Sequence, residues 1–94
     1  MIVDDGSTDP KMIEVLEKYG KDSRITIIRN KENMGIAYSL NLGIEQAANM
    51  PSVKYIARMD SDDISLKDRI LTQVQFMERN PSIDVCGTAM IILR

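Results

Sequence analysis

Short β-branched or apolar runs alternate with helix-periodic segments along the whole of this 94-residue chain, and that alternation limits its fold more than any other feature. Met1 to Val3 reads as the end of a strand running into Asp4-Asp5-Gly6-Ser7-Thr8-Asp9-Pro10, where Gly6 permits a tight turn. Thr8 or Asp9 then caps a helix whose first position is Pro10. Met12, Val15, Leu16 and Tyr19 recur at helical spacing, and Gly20 supplies the stop. Ile25 to Ile28 predicts a second strand, and Asn30 to Gly35 a polar loop. Ile36, Leu40, Ile44 and Ala47 or Ala48 share a face, which predicts a helix from Gly35 to about Asn49 despite Gly43. Met50-Pro51-Ser52 breaks it, and Val53 to Met59 predicts a third strand. Leu66, Ile70, Val74 and Met77 mark a third helix ending near Asn80-Pro81, and Val85 to Leu93 a last strand. Alternation of this kind predicts an α/β fold with a parallel sheet and right-handed crossovers.

In such sheets ligands bind beyond the carboxyl ends of strands, and two acidic groups lie there: Asp4-Asp5, and Asp60, Asp62 and Asp63 in YIARMDSDDIS. The two are expected in one crevice. On extended backbone Asp60 and Asp62 face one side, with Ser61 and Asp63 on the other. Carboxylates that close repel, and a hard divalent cation removes the penalty. Mg²⁺ or Mn²⁺ takes one or two protein carboxylates and fills its other positions with water and phosphate oxygens. The bland alternative is a solvated acidic loop before a helix. Ser65-Leu66-Lys67-Asp68 matches a capping box with a short acidic partner, and the helix dipole covers Asp63, but neither explains three aspartates together. A calcium EF-hand loop is excluded. Counted from Asp60, its fifth, sixth and twelfth positions are Ile64, Ser65 and Leu71, where an oxygen ligand, a glycine and a glutamate are needed.

With 44% apolar residues the chain has the material for a core, and the methionines, mostly on the apolar faces, are expected to pack there. A formal net charge of −2 argues against nucleic acid as a partner. The single cysteine, Cys86, lies in an apolar run and is expected to be buried and inert. No apolar run is as long as a membrane span and no signal peptide is evident, so the expected location is cytoplasmic. Histidine is absent, which leaves carboxylates to carry any acid–base chemistry.

VDDGSTD, Asn33-x-Gly35, LNLGI at Leu40 to Ile44, YIARMDSDDIS, Arg69, Gln73 and NPSIDVCGT occur in this order, and together they resemble the nucleotide-sugar-binding half of a family 2 glycosyltransferase. The resemblance covers nearly the whole chain and implies the Rossmann-like GT-A fold. It implies that Asp5 hydrogen-bonds a uracil-type base, with Asp4 and Ser7 supporting the turn. Asp60 and Asp62 match the DxD motif, the first acid lying near the ribose and the second holding Mg²⁺ or Mn²⁺ on the diphosphate, with Asp63 as an adjacent reserve ligand. Asn33 and Gly35 match a loop close to the donor. Arg58 and Arg69 are expected to pair with the acid cluster. The implied cofactors are the divalent metal and a UDP-linked sugar donor. The acceptor would be a glycan or lipid-linked glycan in polysaccharide or lipopolysaccharide assembly, reached by inverting displacement.

Members of the family carry a further strand and helix before VDDGS, and their catalytic base and acceptor loops beyond the equivalent of Arg94. Residues 1–94 are therefore expected to form a single partial GT-A domain, inactive alone, with unpaired strand edges that favour pairing with another copy. Two other readings remain open. A metal-dependent phosphoryl transferase or phosphatase would carry an aspartyl-phosphate on Asp60. A non-catalytic nucleotide-binding or assembly module would keep the fold without the chemistry.

Overall fold

The computed structural model describes residues 1–92, which form an α/β chain in the order β1 (Ile2–Asp4), α1 (Pro10–Tyr19), β2 (Ile27–Arg29), α2 (Ile36–Ala48) and α3 (Arg69–Arg79). It divides into two compact units, Met1–Ile56 and Ala57–Arg94.

In the first unit β1 and β2 pair in parallel, with Ile2 opposite Ile27, Val3 opposite Ile28 and Asp4 opposite Arg29. The crossover between them is α1, as parallel pairing requires. Asp9 caps this helix by accepting from the Lys11 N–H at 2.9 Å, and Pro10 opens it. It ends at Gly20 with φ −64°, so the stop needs no left-handed residue. Its half-buried positions are Ile13 and Leu16, whereas Met12, Val15 and Tyr19 are exposed, a shift of the expected face.

Helix α2 lies against β1. The inward face is not the Ile36–Leu40–Ile44 stripe, since Ile36 is 66% exposed and Ile44 49%. Ser39 is buried, and Gly43 and Ala47, one and two turns on, are half-buried with Leu40 and Leu42. Small residues allow the close approach: a Cβ on Gly43 would sit 3.1 Å from Val3 Cγ2.

Two expected strands are not formed. Val53 to Met59 belongs to no ladder, and Val85, Met90, Ile91 and Ile92 are 77–86% exposed without regular structure. Leu93, the end of that last run, lies outside the described residues. β-Propensity describes fit to a pleated, half-buried surface, and a strand exists only where another lies alongside it. The described sheet has two strands. No described apolar residue is fully buried, so the expected core is absent and most methionines are exposed. Cys86 is half-buried rather than buried.

Helix α3 begins at Arg69, not at a Ser65 cap. Asp68 stands at its N-cap without a side-chain bond, and Ser65 Oγ reaches only the Leu66 carbonyl at 3.5 Å. Residues 66–69 instead close a turn through the Arg69 N–H and Leu66 carbonyl at 3.1 Å, which leaves Leu66 74% exposed. The capping box therefore does not form. No helix among the described residues is long and apolar enough to cross a membrane.

Candidate functional site

The carboxyl ends of β1 and β2 carry Asp4-Asp5 and Arg29-Asn30, side by side because the strands are parallel and in register. The ladder closes with the Asn30 N–H donating to the Asp4 carbonyl at 2.9 Å. Asp4 points inward and is 5% exposed. Its Oδ1 accepts from the Ser7 N–H at 3.0 Å, and its Oδ2 faces Arg29 Nε at 3.0 Å, an ion pair without a well-aligned hydrogen bond. Arg29 Nη2 donates to the Ser7 carbonyl at 2.7 Å. The turn is thus held from both sides. Gly6 makes it possible: its φ is +74°, and a Cβ there would lie 2.6 Å from the Glu32 carbonyl carbon.

Asp5 is half-buried and turned to the loop before α2. Its Oδ1 accepts from Asn30 Nδ2 and from the Met34 N–H, both at 2.8 Å, and its Oδ2 accepts from the Gly35 N–H at 2.9 Å. These donors hold its carboxyl below the ordinary value. The Met34 amide has the largest effect, then the Asn30 amide; partial desolvation opposes them, and the Ser39 hydroxyl and Gly35 amide add smaller lowering contributions. A carboxylate offers about four acceptor positions. Asn30, Met34, Gly35 and Ser39 all supply donors to that of Asp5.

Of the site residues expected from the sequence, Asp4, Asp5, Ser7 and Gly35 are therefore tied into one bonded cluster. Asn33 is exposed on the same loop, one residue before the Met34 amide. Sequence reasoning missed Arg29, Asn30 and Ser39. Asn30 Nδ2 also lies 3.0 Å from Ser39 Oγ, which joins the end of β2 to the first turns of α2. One signal was available: Ser39 is a polar residue four positions before Gly43 on a helix whose neighbouring positions are apolar, where a hydroxyl needs a partner.

The acid cluster lies in the second unit. Asp60 is half-buried, and Asp62 and Asp63 are exposed, in a turn closed by the Asp63 N–H and the Asp60 carbonyl at 3.2 Å. Asp60 Oδ1 pairs with Arg58 Nη2 at 2.6 Å. Arg69 does not pair with the acids, contrary to expectation. Its Nη2 donates to the Arg58 carbonyl at 2.8 Å and its Nε to Gln73 Oε1 at 3.0 Å, which holds the backbone leading into the turn. Among the described residues no three acidic or cysteine side chains converge closely enough to hold a metal by themselves. The donor set of Asp60, Asp62 and Asp63 still fits Mg²⁺ or Mn²⁺, which need only one or two carboxylates when a diphosphate supplies further oxygens.

A family model described as Glycosyl transferase family 2 matches residues 1–93. The bifunctional glycosyltransferase pgtA of Dictyostelium discoideum is 47% identical over 88 residues, 93% of this chain and 11% of that protein. An uncharacterized glycosyltransferase of Haemophilus influenzae is 39% identical over 93 residues, 99% of this chain and 28% of the relative. The amylovoran biosynthesis glycosyltransferase AmsE of Erwinia amylovora is 30% identical over 91 residues, 97% of this chain and 33% of the relative. The chain thus spans 11–33% of the length of these curated relatives. No solved structure matches it.

Proposed function

This chain belongs to glycosyl transferase family 2, and from that premise we propose that it supplies the donor-binding part of a glycosyltransferase that moves a sugar from a nucleoside diphosphate to a glycan or lipid-linked glycan acceptor. The observation that carries this reading is the Asp5 carboxylate, held ionised at the carboxyl end of β1 by neutral protein donors and with no cation paired to it among the bonds it makes. An imide N–H, as on the pairing edge of uracil, is the kind of donor such an acceptor-only group recognises. Asp4, Ser7 and Arg29 hold the turn that presents Asp5, and Asn33 and Gly35 lie on the loop it grips.

In the same reading, Asp60 and Asp62 would hold Mg²⁺ or Mn²⁺, with Asp63 beside them, and Asp60 would also lie near the ribose. The bound metal would stabilise the negative charge that develops on the departing diphosphate. Arg58 gives up its bond to Asp60 when the donor arrives, and Arg69 keeps the turn's backbone in place. Transfer proceeds with inversion, and polysaccharide assembly is the proposed setting, in line with the name of the Erwinia relative. The proposed fold of the domain is Rossmann-like GT-A. The setting proposed for the reaction is cytoplasmic. The outer edges of β1 and β2 are open to strand pairing with a second copy, which light scattering at rising concentration would detect as a mass above one chain.

The test is calorimetric titration of the chain with UDP in the presence of Mn²⁺. Saturable binding lost in both Asp5→Asn and Asp62→Asn is the expected result. No binding by the unaltered chain, or binding indifferent to both substitutions, would sink the proposal.

A further inference from the structure

Arg69 opens α3, where the helix dipole disfavours a cation, so helix stability does not account for an arginine there. Its guanidinium is used on two sides. Nη2 donates to the Arg58 carbonyl at 2.8 Å, and Nε donates at 3.0 Å to Oε1 of Gln73, one helical turn further along α3. Arg58 lies in the run that joins no ladder, so Arg69 gives its carbonyl the donor that a neighbouring strand would otherwise provide. The Arg58 side chain in turn holds Asp60 Oδ1 at 2.6 Å. A run of contacts thus leads from Gln73 through Arg69 and Arg58 into the acidic turn, all of it within the second unit. On its other side Gln73 is held loosely. Its Nε2 lies 3.5 Å from the Cys86 carbonyl and 3.7 Å from Cys86 Sγ, both at the limit of hydrogen bonding. The firm bond of this side chain is the one its carbonyl oxygen accepts from Arg69.

From this geometry we infer that Gln73 is a positioning residue for the proposed cation site: by fixing the Arg69 fork, it steadies the backbone from which Asp60 and Asp62 would reach Mg²⁺ or Mn²⁺. The inference rests on the metal reading given above and adds to it a residue outside the acidic turn. An arginine side chain left free samples many rotamers. Because the guanidinium is a rigid plane, anchoring its Nε also sets the direction of its Nη2, and with it the hold on the Arg58 carbonyl. Mg²⁺ demands near-ideal octahedral geometry, so a turn entered from loose backbone loses affinity even with every carboxylate still present. What Gln73 contributes is an acceptor, and a carboxylate at this position would serve Arg69 equally well.

The experiment is titration of the full 94-residue chain with Mn²⁺ alone, followed by electron paramagnetic resonance of the free ion. Gln73→Met keeps the length of the side chain and removes the acceptor. It is expected to weaken Mn²⁺ binding about fivefold, less than the full scale of a hydrogen bond to a charged group because the effect passes through Arg69. Gln73→Glu keeps an acceptor for Arg69 and gives up the donor facing Cys86, and should bind Mn²⁺ at least as tightly as the unaltered chain. In an Arg69→Lys background, Gln73→Met should cost nothing further. Unchanged binding in Gln73→Met, an equal loss in Gln73→Glu, or additive losses with Arg69→Lys would each overturn the inference. If Gln73→Met does not fold, Arg69→Lys takes its place, since an ammonium keeps the charge without the fork; a similar loss is expected, and no loss overturns the role. If the unaltered chain takes up no Mn²⁺, the metal reading fails by itself. Solvent exchange of the Arg69 Nε–H, measured by NMR, then decides the positioning role: slow exchange in the unaltered chain and Gln73→Glu but fast exchange in Gln73→Met supports it, and one rate in all three refutes it.

Discussion

Arg29 Nε lies 3.0 Å from Oδ2 of Asp4, a side chain 3% exposed, while the arginine's own side chain remains 46% exposed. The pair is lopsided: nearly all the desolvation falls on the carboxylate. Removing the cation leaves a buried charge without compensation, which costs more than the pair contributes when intact. Arg29→Met is expected to destabilise the chain by about 1–3 kcal/mol, below the range for a fully buried pair because Arg29 is half in water. Asp4→Asn in the same background should recover part of the loss, since the stranded charge is gone. Urea midpoints of the two single variants and the double would show this, and simple additivity would contradict it.

Gly6 sits where no other residue fits. Its φ of +74° and the 2.6 Å approach of a would-be Cβ to the Glu32 backbone act together, and backbone cannot step aside as a flexible side chain does. Gly6→Ala is expected to cost about 1–3 kcal/mol, from positive-φ strain plus overpacking. The displaced loop is the one that grips Asp5, so UDP affinity should fall as well. A Gly6→Ala chain with unchanged melting temperature would count against the geometry.

Acid sensitivity follows from Asp5. Its carboxyl is held below the ordinary value of 3.8 by the Met34 and Asn30 donors, so below that value the unfolded chain binds more protons than the folded one. The stabilisation is complete above about pH 4 and is lost as pH falls through the depressed folded value. Asp22, lowered by its bonds to Arg24, acts in the same direction from the surface. Asp5→Asn should flatten the fall in urea midpoint as the pH is taken below about 4. Parallel curves for the unaltered chain and Asp5→Asn would refute the assignment.

Arg58 holds Asp60 Oδ1, the oxygen that a divalent cation would need if it bound as proposed. Each side chain is about half exposed, 54% for Arg58 and 42% for Asp60, so the pair is worth about 1 kcal/mol at most, or roughly a fivefold effect. Arg58→Gln is therefore expected to raise Mn²⁺ affinity about two- to fivefold when nucleotide is absent. Electron paramagnetic resonance of free Mn²⁺ measures it directly, and weaker binding in the variant would show that Arg58 assists the site rather than blocks it.

Helices α1 and α2 were legible nearly to the residue, because their signals are local: Asp9 and Pro10 at the start of α1, Gly20 at its end, and Gly35 and Asn49 around α2. The paired strands were placed within two residues for the same reason. Helix α3 was recognised by its period, but its start was misplaced. Ser65 and Asp68 have the chemistry of a capping box, while residues 66–69 close a turn of their own. The faces were harder to see. Periodicity marked Ile36 and Ile44 as inward, yet α2 turns Ser39 and Gly43 to β1, because close approach there needs small side chains and Ser39 has a partner in Asn30.

Residue order alone settled which short segments are helical, where the tight turn falls and which carboxylates follow apolar runs, since each depends on neighbours a few positions apart. Tertiary structure decided the rest: that Asp4 turns inward to Arg29, that Asp5 grips a loop 30 residues away, and that Val53 to Met59 joins no ladder. Hydrogen bonds of that kind depend on which chain ends meet in space. A strand, unlike a helix, has no internal partner for its backbone, so its existence is settled by what lies beside it.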